Sequence, residues 1–268
     1  MDTLRSVAEL RAVRRAWGPA SVGLVPTMGA FHAGHLSLIR AARSSEARVV
    51  VSLFVNPAQF GPQEDLASYP RDEAGDARVA EAEGVDVLFV PSAEEMYPPG
   101  FATWVEVGAL GAILEGAVRP GHFRGVATVC LKLFEIVQPS RAYFGRKDAQ
   151  QLAVLRQMVR DLDLPLELCA MPTIREPDGL AAASRNVNLT PAERRQALAL
   201  PRALEAGQAA HRRGEDPAAA ARAVLDGAEG LAVDYVAVAD LDGPTLAAAV
   251  RAGRTRLIDN VLLTEALP

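Results

Sequence analysis

Five short apolar runs, at 22–26, 48–55, 86–90, 141–144 and 165–171, are separated by stretches of helical spacing, and this alternation leaves few folds open to the chain. Strands that alternate with helices pair in parallel, because each crossover returns the chain to the same end of the sheet. The expected architecture is α/β, a Rossmann-like doubly wound parallel sheet. Ligands of such sheets bind beyond the strand C-termini, so loops starting at Pro26, Asn56, Gly145 and Thr173 are expected to share one crevice. An N-terminal helix over Ser6 to Trp17 precedes the first run.

Past about residue 175 the pattern changes. Thr190-Pro191-Ala192-Glu193 combines a capping box with proline at the first helical position, and a second helix starts at Pro217. Runs at 233–238 and 256–263 read as strands around a short helix begun near Pro244. The expectation is a smaller α+β domain over 176–268, hinged to the first domain, 1–175, near Asp178-Gly179, and closing over its site.

Half of the 268 residues are hydrophobic, enough for a packed core. No apolar run reaches the ~20 residues of a membrane span, and the N-terminus lacks the basic-then-apolar order of a secretory signal. A cytoplasmic protein without a membrane partner is expected. A net charge of −5 argues against a general nucleic-acid binder and leaves small anions as the better partners. Cys130 and Cys169 fall within apolar patterns and read as buried thiols. Among 28 basic residues only Lys132 and Lys147 are lysine. Lys132 sits in a mostly apolar helix, where snorkelling is the default; Lys147 follows a strand.

The first run ends in Val25-Pro26-Thr27-Met28-Gly29-Ala30-Phe31-His32-Ala33-Gly34-His35. Pro26 stops the strand, Leu36, Leu38, Ile39 and Ala42 recur at helical spacing, and the loop between is nearly free of charge. Gly29 and Gly34 let backbone approach a ligand, and the N–H groups opening the helix favour an anion. Both histidines then point toward bound phosphate. Three apart on one helical face, they could also ligate a metal, but no carboxylate falls within 21–45. Hydrogen-bonded core histidines are the third reading.

Other segments carry compatible chemistry. Asn56-Pro57-Ala58-Gln59 offers two amides, each donor and acceptor at once, suited to a ligand with hydroxyl and carboxylate groups; an ordinary turn has the same composition. Glu64-Asp65 follows as a wall of that loop, and Arg119, His122 and Arg124 cluster at another helix start. Tyr143-Phe144-Gly145-Arg146-Lys147-Asp148 leaves the fourth run with an ammonium near the next helix start. Ser184 and Arg185 offer a hydroxyl and a planar fork for phosphate oxygens.

In this order the segments resemble the nucleotidylyl transferase superfamily, whose His-x-Gly-His signature stands here as His32-Ala33-Gly34-His35. The string from Pro26 to His35 narrows the resemblance to its pantoate:β-alanine ligase family, over residues 25 to 190. The resemblance implies ATP binding by Met28, Gly29, His32, Gly34, His35, Gly145, Lys147, Asp148, Ile174, Ser184 and Arg185. Lys147 would meet the phosphates and Asp148 the ribose hydroxyls. Gln59 and Gln151 would hold pantoate, and Gln59 later β-alanine. His35 is the implied proton donor toward the departing oxygen, with His32 supporting it and Lys147 completing the catalytic set. The family also implies ATP as a substrate with Mg2+ bound mainly through its phosphates, no tightly held organic cofactor, and a homodimer. Two positions depart from its pattern: Arg146 replaces an acidic residue, and Ala183 replaces the first of two serines.

The implied reaction has two halves, adenylation of the pantoate carboxylate by ATP and attack of the β-alanine amine on the acyl adenylate. A carboxylate with a pKa near ~4 needs no general base at neutral pH, so the first half chiefly demands charge neutralisation. Two other readings share these residues. A dinucleotide-forming transferase would keep His32 and His35 but want more cations at the acceptor than Gln59 and Gln151 supply, and an inactive nucleotide-binding module would bind ATP without turnover.

Overall fold

The computed structural model describes residues 1–62 and 64–264. The first strands and helices are β1 (Asp2–Leu4), α1 (Val7–Ala16), β2 (Val22–Thr27), α2 (Ala33–Ser45), β3 (Arg48–Leu53), α3 (Glu73–Ala82) and β4 (Val87–Phe89). After them come α4 (Ala93–Met96), α5 (Glu115–Val118), α6 (His122–Val137), β5 (Arg141–Gly145), α7 (Ala149–Asp161) and β6 (Glu167–Met171). The last part holds α8 (Pro191–Ala197), α9 (Ala199–Arg212), α10 (Pro217–Asp226), β7 (Leu231–Asp240), β8 (Pro244–Ala252) and β9 (Thr255–Leu262).

Six strands form one sheet in the order β1-β4-β3-β2-β5-β6, with every pair parallel, as the alternation predicts. The chain runs from β2 outward through β3 to β4 and then returns to the other side of β2 with β5. That reversal splays the connections apart beyond the C-terminal ends of β2 and β5, where doubly wound sheets hold ligands. Val49, Val51 and Leu88 pack with Leu38, Ile39 and Ala42 of α2 and Ala80 of α3 on one face. Helices α1 and α6 meet away from this cluster, where Arg14 Nε donates to the Val137 carbonyl at 3.1 Å. The expected helix 6–17 is α1 with a complete Ser6–Glu9 capping box. Strand β1, only three residues long and mostly exposed, has no apolar run to announce it.

Two compact units divide the chain: residues 1–145 with 154–171, and residues 146–153 with those from Pro172 onward. The expected single break after 175 is replaced by changes of unit after Gly145, Ala153 and Met171. The Asp178-Gly179 turn, expected as the hinge, lies inside the second unit. It is closed by an Arg175–Ala181 bridge and by Arg194, which pairs with both Glu176 and Asp178.

In the second unit α8, α9 and α10 cover a three-stranded antiparallel sheet of order β7-β8-β9. The helix expected near Pro244 is instead β8, its middle strand. Ala247, Ala248 and Ala249 favour a helix by local propensity, but partners on both sides satisfy their backbone as a strand. Helix α9 also comes close: a Cβ on Gly207 would lie 2.3 Å from Leu246 Cδ2. The Thr190 capping box heads α8 as expected.

Candidate active site

The residues singled out from the sequence divide between the units. Met28, Gly29, His32, Gly34, His35, Gln59 and Gly145 belong to the first, and Lys147, Asp148, Gln151, Ile174, Ser184 and Arg185 to the second.

In the first unit the loop after β2 is held from below by a side chain that sequence reasoning missed. Gly29 (φ 86°) and Ala30 (φ 52°) both take the left-handed region, which turns the N–H groups of Ala30 and Phe31 onto one carboxylate. Asp76 Oδ2 accepts from Ala30 and Oδ1 from Phe31, each at 2.7 Å. Asp76 is only 4 % exposed. Burial raises its carboxyl above the ordinary range, and the two backbone donors draw it part of the way back. Thr27 Oγ1 ties the loop to β3, donating to the Ser52 carbonyl at 2.7 Å and accepting from Gly29 N–H at 3.3 Å.

His32 caps α2, its Nδ1 accepting from Gly34 N–H at 3.1 Å. A neutral His32 therefore carries its proton on Nε2. The ring folds back so closely that a Cβ on residue 34 would lie 2.8 Å from His32 Cε1. Gly34 thus makes room for the neighbouring histidine ring. The His32 and His35 rings stand 4.1 Å apart between centroids, and Phe31 packs on His35 at 5.5 Å. One polar face is thereby presented at the start of α2. Among the described residues no group of three His, Cys, Asp or Glu side chains is placed to hold a metal.

The turn after β3 fixes Gln59. Buried Asn56 spends its whole amide on the job: Nδ2 donates to Gln59 Oε1 at 3.0 Å and to the Gly125 carbonyl at 3.1 Å. Its Oδ1 accepts from Ala58 N–H at 3.2 Å and from Tyr97 Oη–H at 2.8 Å. Gln59 Nε2 then reaches Met28 Sδ at 3.2 Å, joining the loops of β2 and β3. The Arg119–His122 segment supports the same turn. Burial, followed by the nearby Arg119 charge, lowers the His122 pKa to about 4. The ring is therefore neutral at pH 7, with Nδ1–H donating to the Gln59 carbonyl at 2.9 Å and Nε2 accepting from Arg119 at 3.1 Å. Arg119 also grips Glu64 at 2.9 and 2.6 Å. Burial works against the Glu64 charge, but Arg119 outweighs it and holds the carboxyl below its usual range.

In the second unit Lys147 and Asp148 lie in a 3-10 turn before α7, with Lys147 Nζ 3.5 Å from Asp148 Oδ1. Gln151 is half-buried in the first turn of α7. Ile174 accepts from Ala182 N–H at 2.9 Å, closing the segment that leads to buried Ser184 and to Arg185. Asn186 braces that segment from inside, donating to Glu176 Oε1 at 2.6 Å and the Ala181 carbonyl at 3.0 Å. Ala183 is extended and makes no side-chain cap, so the bond expected of a serine there is missing.

Cys130, Cys169 and Lys132 lie outside these clusters. Both cysteines are free; burial pushes the Cys130 thiol up to about 12, while Cys169 is only partly buried. Lys132 places its ammonium over Phe101, 4.9 Å from the ring centre.

The sequence profile of pantoate-beta-alanine ligase matches residues 2–262. A relative from Roseiflexus castenholzii, called pantothenate synthetase, is 56 % identical, with 98 % of this chain and 99 % of the relative covered. Pantothenate synthetase from Thermus thermophilus superposes with a TM-score of 0.94 at 48 % identity, covering 99 % of this chain and all of that one. A pantoate-beta-alanine ligase from Francisella tularensis, complexed with a β,γ-ATP compound and β-alanine, superposes with a TM-score of 0.86 at 34 % identity over 98 % of both chains.

Proposed function

Because this chain belongs to the pantoate-beta-alanine ligase family, we propose that the two sets of residues act together on one ATP to make pantothenate. The enzyme is an ATP-dependent ligase. The pantoate carboxylate attacks the ATP α-phosphorus, giving pantoyl adenylate and pyrophosphate. The β-alanine amine then attacks the acyl carbon, forming the amide and releasing AMP.

The observation that carries this reading is the paired rings of His32 and His35 at the start of α2, beside a Gln59 amide already oriented against Met28. The Nδ1 of His32 is engaged by Gly34, which supports Nε2–H as the atom that donates to phosphate oxygen. His35 donates toward the departing oxygen. Lys147 and Arg185 neutralise charge on the phosphates, Ser184 adds a hydroxyl, and Asp148 takes the ribose hydroxyls. Gln59 and Gln151 hold pantoate, and Gln59 later β-alanine. ATP enters as its Mg2+ complex, the ion held mainly by phosphate oxygens. Closure of the second unit over the first keeps water from the acyl adenylate. The reading extends to a cytoplasmic homodimer, as the family resemblance implies.

The test is pantoate-dependent exchange of labelled pyrophosphate into ATP without β-alanine. Exchange is expected only with pantoate. His35→Ala and Lys147→Ala should each abolish it in a folded protein, since each removes a contribution of ~3 kcal/mol or more at the transition state. Exchange that ignores pantoate, or survives either substitution, refutes the assignment.

A further inference from the structure

The three-stranded sheet of the second unit contributes no residue to the roles above, yet strand β9 holds the segments that do. Asp259 and Asn260 are neighbours on β9, and consecutive strand residues face opposite sides. Asn260 Nδ2 donates to two main-chain oxygens, the Lys147 carbonyl at 2.7 Å and the Arg146 carbonyl at 3.0 Å. Asp259, its side chain wholly buried, accepts from both terminal nitrogens of Arg175 at 2.6 and 3.1 Å. Its Oδ1 also accepts from Asn260 N–H at 2.8 Å, which locks the dipeptide to itself. One strand therefore grips the turn of Lys147 with one residue and the segment that runs from Ile174 to Arg185 with the next.

Peptide planarity turns this grip into orientation. Two successive carbonyls pointed at one amide fix the planes of the 146–147 and 147–148 peptides, and with them the Cα–Cβ direction of Lys147 between the two. The trans geometry also sends the N–H groups of Lys147 and Asp148 away from Asn260. An ammonium on four rotatable bonds has much freedom to lose; a fixed base reduces that cost on binding.

We propose that Asn260 is a positioning residue for the nucleotide: it aims Lys147 and Asp148 and so sets the affinity for ATP without touching it. The proposal rests on the assignment of Lys147 and Asp148 to ATP. Because the grip is on main-chain oxygens, it does not depend on which side chain stands at position 146.

The test compares Asn260→Leu, which keeps volume and removes both donors, with Asn260→Asp, which keeps shape and removes both donors. Steady-state constants for each substrate are measured for the single variants beside thermal melting. The dissociation constant of ATP is measured by equilibrium binding for the single variants and in a Lys147→Ala background, which does not turn over. Each single variant is expected to raise KM for ATP about tenfold, with KM for pantoate within about twofold of the parent, because two hydrogen bonds are lost. In the Lys147→Ala background either should raise the dissociation constant of ATP by less than about threefold, since residues that act through one another do not combine independently. Parent-like KM for ATP in both variants, equal rises for ATP and pantoate, or fully multiplicative effects with Lys147→Ala overturn the proposal. If Lys147→Ala weakens ATP while both Asn260 variants do not, the proposal fails and the assignment of Lys147 stands. If Lys147→Ala itself leaves ATP unaffected, the assignment fails and the proposal with it.

Discussion

Gly125→Ala tests how Gln59 is held. Gly125 lies in the first turn of α6, against the Pro57–Gln59 turn. A Cβ there would fall 2.3 Å from the Ala58 oxygen, 2.5 Å from its carbonyl carbon and 2.6 Å from the Gln59 nitrogen. All three are main-chain atoms, so no rotamer change relieves the clash. Ordinary contact needs roughly 3.5 Å, and helix and turn must part by about 1 Å. The same movement stretches the bond from Asn56 to the Gly125 carbonyl, and Asn56 is what orients the Gln59 amide. A misplacement of about 1 Å costs on the order of 100-fold in rate, or about 2.7 kcal/mol. Overpacking itself should cost about 1–3 kcal/mol of stability, lowering the melting temperature by roughly 3–10 °C. Pantoate-dependent pyrophosphate exchange and thermal melting measure both. Gly227→Ala, whose Cβ would meet nothing closer than 3.5 Å, is the control. Parent-like kcat/KM for pantoate with unchanged melting in Gly125→Ala would refute the claim that this contact places Gln59.

Asp76→Asn puts an amide donor against the Ala30 or Phe31 N–H, and about a tenfold or greater loss of pyrophosphate exchange is expected with the fold retained; undiminished exchange would show that the loop needs no such anchor. His122 predicts a pH response of stability. Its pKa is about 4 when folded against an ordinary 6.5, so its neutral form favours folding: the contribution is whole above pH 6.5 and lost as pH falls toward 4. At about 1.4 kcal/mol per pH unit, the gap is worth roughly 3 kcal/mol. Urea unfolding of His122→Gln should be correspondingly flatter than the parent between pH 6.5 and 4, and parallel curves would contradict the buried neutral ring.

The parts of this molecule visible in its sequence are those written locally. Five of the six parallel strands, β2 to β6, show as apolar runs, Ser6 and Thr190 show as caps, and His32, Gly34 and His35 announce themselves by spacing. What stays hidden are side chains that act across long separations. Asp76 follows the loop it holds by some 45 residues, within a helix start where an acid is commonplace. Asn260 reaches back 113 residues to the Lys147 carbonyl, and nothing beside it in sequence marks a partner. Arg119 and His122 were visible as a polar cluster, but not that they serve the Gln59 carbonyl. Strand β8 was hidden for a different reason: its alanines suit a helix, and only pairing on both sides makes them a strand.

The interrupted course of the second unit bears on how such a gene can be recombined. Residues 146–153 belong with the chain beyond Pro172, while 154–171 belong with the N-terminal sheet. A single crossover between two relatives, placed between residues 153 and 255, would inherit the Lys147 turn from one parent and the strand that clasps it from the other. A chimaera that exchanges 146–153 along with 172–264, as a two-piece cassette, keeps both from the same ancestor, and it is this discontinuous block that can be swapped as a whole.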